Sequence, residues 1–180
     1  MIDRNALRAA GLLAGLWFSS QAGAATPCMV VGDSVGVGIS MALKGVCDSS
    51  AKVGIGSSAV AARVPAGSNW TIVSLGSNDF PRSIRPAQRA QSEIRVRNAL
   101  TLVLAKTGKH LVLVLPANGA RGLVASWAEA HDVRHVSFSP GPDGIHPRNS
   151  AELARRIRGE MSERSQAATA EIGAASSDLH

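Results

Sequence analysis

The chain alternates between short continuous apolar runs and longer segments in which apolar residues recur every three or four positions. The first kind predicts strands: "MVVG" at 29–32, "WTIVSLG" at 70–76, "HLVLVLP" at 110–116, "VRHVSF" at 133–138, and a weaker run at 51–53. "LVLVL" shows no polar alternation, as a strand covered on both faces requires. The second kind predicts helices over roughly 36–45, 86–106, 122–131 and 148–164. The longest opens on Pro86, in the turn where a missing N–H costs nothing, and Gly108 follows its end. Asn149 or Ser150 supplies the cap of the last. Strands that take turns with helices predict an α/β fold, a three-layer α/β/α sandwich around a mostly parallel five-stranded sheet. The pattern leaves the order of the strands open.

The two ends of the chain depart from this pattern. Arg4 and Arg8 precede an apolar run from Ala9 to Phe18 and the small-residue exit Ala22-Gly23-Ala24, the layout of a secretory signal peptide cleaved after Ala24. The run has about half the roughly 20 residues that a membrane span needs, and no other segment is long and apolar enough. The expected product is an exported, periplasmic or secreted domain of residues 25–165. Its Ala/Ser-rich tail, 166–180, is expected to be disordered.

Export gives the two cysteines a meaning. Cys28 opens the first strand and Cys47 closes the helix after it. Because that helix runs back antiparallel to the strand, its end returns to the strand's starting edge. An oxidising compartment then permits a Cys28–Cys47 disulfide. Cys28 follows Ala25-Thr26-Pro27, which is not a lipoprotein acylation site.

The net charge of +6 is spread over several segments, and arginine supplies most of it. Scattered charge with few aromatics and no tyrosine argues against a nucleic-acid partner. It suits a solvated surface, or an anionic polymer of the cell envelope. A monomer is expected.

In parallel sheets, function gathers in the loops at the carboxyl ends of the strands. Here those loops are "GDSVGVG", "GIGSS", "GSNDF", "PANGAR" and "SPGPDGIHP". Ser34 follows the first strand, but a serine hydroxyl is a poor nucleophile without a base. His110, His131 and His135 fall on the wrong edge of the sheet and His180 in the tail, which leaves His146. Asp143, three residues earlier, can accept the Nδ1 hydrogen of that imidazole and fix its tautomer. Asn78 offers an amide N–H to a developing oxyanion, and the glycines of "GIGSS" offer unobstructed backbone N–H groups. The glycines after Ser34 let the helix start pack closely and do not read as a phosphate cradle.

The ordered set "GDSVGVG", "GIGSS", "GSND" and "DGIHP" resembles the four signature blocks of the SGNH hydrolases, the GDSL esterase/lipase superfamily. The resemblance spans about residues 29–147. It implies Ser34 as nucleophile, His146 as general base and Asp143 as its orienting partner. It also implies an oxyanion hole of the Ser34 N–H, the Gly56 N–H (with Gly54 as the alternative) and the Asn78 side chain. Such enzymes work through an acyl-enzyme and need no metal or organic cofactor. Val35 stands where the GDSL name has leucine, a change in the packing shell.

Short segments between the blocks leave little chain for a lid, so an open cleft is expected. Phe80, Arg82 and Arg85 behind Asn78, and Asn118 and Arg121 after the fourth strand, are the candidate substrate contacts. One aromatic and two arginines suit a small acyl group, such as acetyl, on an anionic glycan. A glycan O-acyltransferase with the same triad, a lysophospholipase or thioesterase, and a non-catalytic binding module are the competing readings.

Overall fold

A computed structural model describes residues 28–67, 70–81 and 83–162. The proposed signal peptide and tail, and Arg82, lie outside them. In chain order the elements are β1 (Cys28–Gly32), α1 (Ser34–Ala42), β2 (Asp48–Ser49), α2 (Ser57–Arg63) and β3 (Trp70–Ser74). There follow α3 (Pro86–Thr107), β4 (Leu111–Val114), α4 (Arg121–Ala130) and β5 (Arg134–Val136). Residues 150–162 are helical and are called α5.

The strands form one parallel sheet in the order β2-β1-β3-β4-β5. Alternate residues of the central strands feed two separate cores, as the two-residue period of a strand dictates. Val31, Val73, Leu111 and Leu113 pack with α2, α3 and α4. Val30, Ile72, Val112 and Val114 pack with α1 and α5. This is the expected three-layer sandwich, with the strand order of flavodoxin-like folds. Burial on both faces explains why "LVLVL" carries no polar residue.

Two elements differ from the sequence expectation. The second strand lies at Asp48–Ser49 instead of 51–53. Its residues are exposed, and what places it is backbone pairing to Met29 and Val30. Ser50 N and Lys52 N continue that pairing to the carbonyls of Val30 and Gly32. A solvated edge strand has no apolar alternation to betray it.

The helix α2 replaces what reads as a loop. Seven residues are too few to form a helix alone, and its N-cap, Gly56, has no side chain to announce it. Its buried Val60 and Ala61 hold it against α3. Lys106, near the end of α3, donates to the carbonyls of Ala61 and Val64 at 2.9 and 3.0 Å. A cation there offsets the negative end of the α2 dipole.

Cys28 and Cys47 are joined in a disulfide. It ties the start of β1 to the segment after α1, at the edge of the sheet opposite Ser34. Such a bond suits an oxidising compartment. Among the described residues no helix is long and apolar enough to cross a membrane.

Candidate active site

The site begins where β1 stops. Asp33 caps α1: its Oδ1 accepts from Val35 N at 3.0 Å and from the Ser74 hydroxyl at 3.1 Å. Ser34 is therefore the first helical residue, with an N–H that no turn of the helix can use. The crossing of β1 and β3 is tight enough to demand glycine. A Cβ on Gly32 would lie 2.1 Å from Ser74 Oγ and 2.8 Å from Ser74 O, and one on Gly36 would lie 2.9 Å from the same hydroxyl.

Asp33 is fully buried. Burial pushes its carboxyl above the ordinary carboxylate range, against the Ser77 and Ser74 hydroxyls and the N–H groups of Val35 and Ser77. Its Oδ2 has no partner of ordinary hydrogen-bond geometry among the described residues. Ser77 is near enough to oppose the shift without closing such a bond.

The loop after β5 folds back on itself. Gly141 N donates to His146 O at 2.7 Å, and Arg148 N donates to Ser139 O at 3.0 Å. At its tip Asp143 Oδ1 accepts the N–H groups of Ile145 and His146 at 2.9 and 3.0 Å. That turn needs Gly144 in the left-handed region, at φ +69°. Asp143 Oδ2 lies 2.5 Å from His146 Nδ1. The other ring nitrogen, Nε2, lies 2.9 Å from Ser34 Oγ. Three side chains separated by up to 112 positions thus form one hydrogen-bond chain. His146 and the two backbone N–H groups hold the Asp143 carboxyl well below the usual carboxylate range.

The donor side is built from β2–α2 and β3–α3. Asn78 Nδ2 donates to Ile55 O at 2.9 Å, which leaves its second hydrogen for another acceptor. In a trans peptide the C=O and N–H point opposite ways, so this bond also sets the direction of the Gly56 N–H. Among the described residues neither that N–H nor the N–H of Ser34 has a hydrogen-bond acceptor. Gly54 sits in a turn at φ +79° with open space around it.

Asp79, which reads as a turn residue in the sequence, is buried behind this group. Its Oδ2 accepts both the N–H and the hydroxyl of Ser57, at 2.9 and 2.6 Å. Its Oδ1 lies 3.7 Å from Arg95 Nε. It caps α2 from a distant loop and so holds Gly56. No local signal marks it, since Ser57 is 22 positions away.

Beside the triad opens a cleft of about 420 Å³. Phe80 and Ile84 give it apolar wall, and Gly144 and Ile145 from the loop after β5 also line it. Asn118 lines it, but its amide is committed: Nδ2 donates to the carbonyls of Ser77 and Phe80 at 2.9 and 3.1 Å, and Oδ1 accepts from Ala120 N. Asn118 shapes the wall by pinning the loop after β3. Arg85 is exposed at the start of α3. Arg89, one turn further on, lines the cleft and lacks any sequence signal.

The architecture is similar to that of a Bacteroides fragilis NCTC 9343 protein, provisionally named an acylhydrolase, whose crystal structure superposes with a TM-score of 0.53. The two share 16% identity over 76% of this chain and 86% of that one. A likeness at that identity speaks for the fold. No family model matches the chain, and no curated protein matches it in sequence.

Proposed function

We propose that the chain is a serine esterase of the SGNH type that hydrolyses small acyl esters, acetyl above all, through an acyl-enzyme. The observation that carries this reading is the continuous chain from Ser34 Oγ through His146 to Asp143. The provisional name of the Bacteroides fragilis protein is in accord with it.

In the first half-reaction His146 Nε2 takes the Ser34 proton while Oγ attacks the ester carbonyl. Asp143 steadies the imidazolium that results. Negative charge moves to the carbonyl oxygen, where the N–H groups of Ser34 and Gly56 and the free hydrogen of Asn78 are the candidate donors. His146 then gives its proton to the leaving alcohol, and the acyl group stays on Ser34. A water molecule enters, loses a proton to His146 and attacks the acyl carbonyl; the bond to Ser34 Oγ breaks, His146 returns the proton to that oxygen, and the acid leaves. Every proton is returned, so the cycle closes with one water consumed per ester.

The exported location and an acylated envelope or extracellular glycan as substrate belong to the same proposal. They rest on the leader-like N-terminus, the disulfide and the open cleft. Wild type should hydrolyse p-nitrophenyl acetate and be inactivated by a fluorophosphonate that labels Ser34. Ser34→Ala should lose the activity by roughly 10³-fold or more. Full activity in that variant, or a rate that peaks at palmitoyl chains, contradicts the proposal. Product analysis with an acetyl donor and a glycan acceptor separates water from sugar as the final acyl acceptor.

A further inference from the structure

The guanidinium of Arg89 is held over the cleft. It lies 5.8 Å from the centroid of the Phe80 ring, within cation–π range. Gly119 lies beside it: a Cβ there would sit 3.7 Å from Arg89 Nη2 and 3.8 Å from the Phe80 ring, in ordinary contact with both. Among the described residues no carboxylate pairs with it. Arg95 and Arg97 share its helix and Arg85 precedes it, yet Arg89 is the α3 arginine that lines the cleft.

A guanidinium presents its donors in a planar fork, matched to a carboxylate or phosphate, and the Phe80 ring beside it favours its charge. Phe80, Pro81, Ile84 and Ile145 supply apolar wall, and Ser77 and Asn118 line the cleft beside them, so Arg89 is its one charged side chain among the described residues. A cleft of about 420 Å³ accommodates a group the size of one sugar or one aromatic ring.

The base bears on the orientation of an ester. His146 must give its proton to the leaving oxygen, and the loop that carries it also lines the cleft through Gly144 and Ile145.

We propose that the alcohol half of the ester lies over the cleft, with the acyl half away from it, and that Arg89 selects esters whose alcohol half carries an anionic group, a carboxylate or a phosphate, a few ångströms beyond the scissile oxygen. This rests on the esterase reading above and narrows it from acyl esters at large to acylated anionic alcohols. The reaction is unchanged in its balance: one water enters, and the anionic alcohol and the acid leave.

The test uses two acetates of matched shape, 4-acetoxybenzoate and 4-acetoxybenzamide, with phenyl hydrogen succinate as a probe charged in its acyl half. Wild type should favour the benzoate, and Arg89→Gln should lower the benzoate-to-benzamide ratio of kcat/KM by about fivefold, the size expected of a solvent-exposed ion pair. Arg89→Lys should restore part of the ratio, and added salt should erode it in wild type and Arg89→Lys but not in Arg89→Gln. A ratio that stays put in Arg89→Gln overturns the proposal. So does an effect confined to phenyl hydrogen succinate, which would assign the charge to the acyl half.

Binding of the product 4-hydroxybenzoate against 4-hydroxybenzamide, followed by NMR titration of Ser34→Ala with and without Arg89→Gln, reads the same contact without turnover. Preference for the anion that vanishes with Arg89 supports the proposal even if no ester is cleaved. Equal binding of both products overturns it even if both esters are cleaved. Failure of the esterase reading shows separately, as acetate hydrolysis that survives Ser34→Ala.

Discussion

The carboxylate of Asp79 accepts two hydrogen bonds from Ser57, one from its N–H and one from its hydroxyl. It thereby does for α2 what a capping side chain does from the residue next door, with Gly56 held between them. Loss of this bond strands a buried N–H, at a cost of about 1–3 kcal/mol. Asp79→Ala should lower the stability by that amount in urea denaturation and also lower kcat, with KM nearly kept. Asp79→Asn, which retains one acceptor, should recover part of both. A change in stability with no change in kcat would limit Asp79 to the fold.

Asp143 stays ionised well below the ordinary carboxylate range. Its native carboxylate is favoured, so the loop gains from it above the unfolded pKa and loses it only as the pH falls through the lowered folded one. From neutrality down to about pH 4, the ordinary carboxylate pKa, Asp143 should therefore keep its charge and add no proton of its own to the acid limb of the activity profile. The acid limb of log kcat/KM against pH should have unit slope. A slope of two would place a second titrating group in the triad.

Asp33 has the opposite sign. Its folded pKa is raised by burial, so the native state holds the proton more tightly than the unfolded chain. Its contribution to stability is greatest below the unfolded pKa, 3.8, and declines as the pH rises toward the folded one. Asp33→Asn keeps an oxygen for Val35 N and the Ser74 hydroxyl and removes the titration. Relative to wild type, the variant should be more stable at pH 7 than at pH 4. A difference that does not move between the two pH values would refute this account.

Reduction of the Cys28–Cys47 bond opens a loop with a sequence separation of 19. By loop entropy this should cost about 3 kcal/mol. Because the bond lies at the far edge of the sheet, the kcat of the protein that remains folded should be unaltered. Thermal unfolding and initial rates with and without reductant check both halves of the statement.

Ser34, His146 and Asp143 were legible in the sequence because each ends or follows a strand. A shared edge made them candidates for one site, but β3 and β4 lie between β1 and β5, and it is the loop after β5 that carries His146 across to Ser34. The order itself, β2-β1-β3-β4-β5, was not legible, since apolar runs record burial and not neighbours. The edge strand at Asp48–Ser49 and the helix Ser57–Arg63 were missed for a related reason. Their backbones are held by partners elsewhere, and their own side chains carry little periodicity.

The supporting side chains were the least visible. Asp79 acts on Ser57 across 22 positions, and Asp33 acts on Ser74 across 41. Arg89 looks like any other charge on the exposed face of a helix until Phe80 and Gly119 are seen beside it.

The short helix α2 is anchored at both tips, by Asp79 at its start and by Lys106 at its end. Its position thus owes little to the chain that leads into it. Between Lys52, last to pair with β1, and Ile55, held by Asn78, lie only Val53 and Gly54. These two are exposed, and a Cβ on Gly54 would meet nothing. That dipeptide is a natural splice point: extra residues could be grafted there without dislodging the glycine behind it.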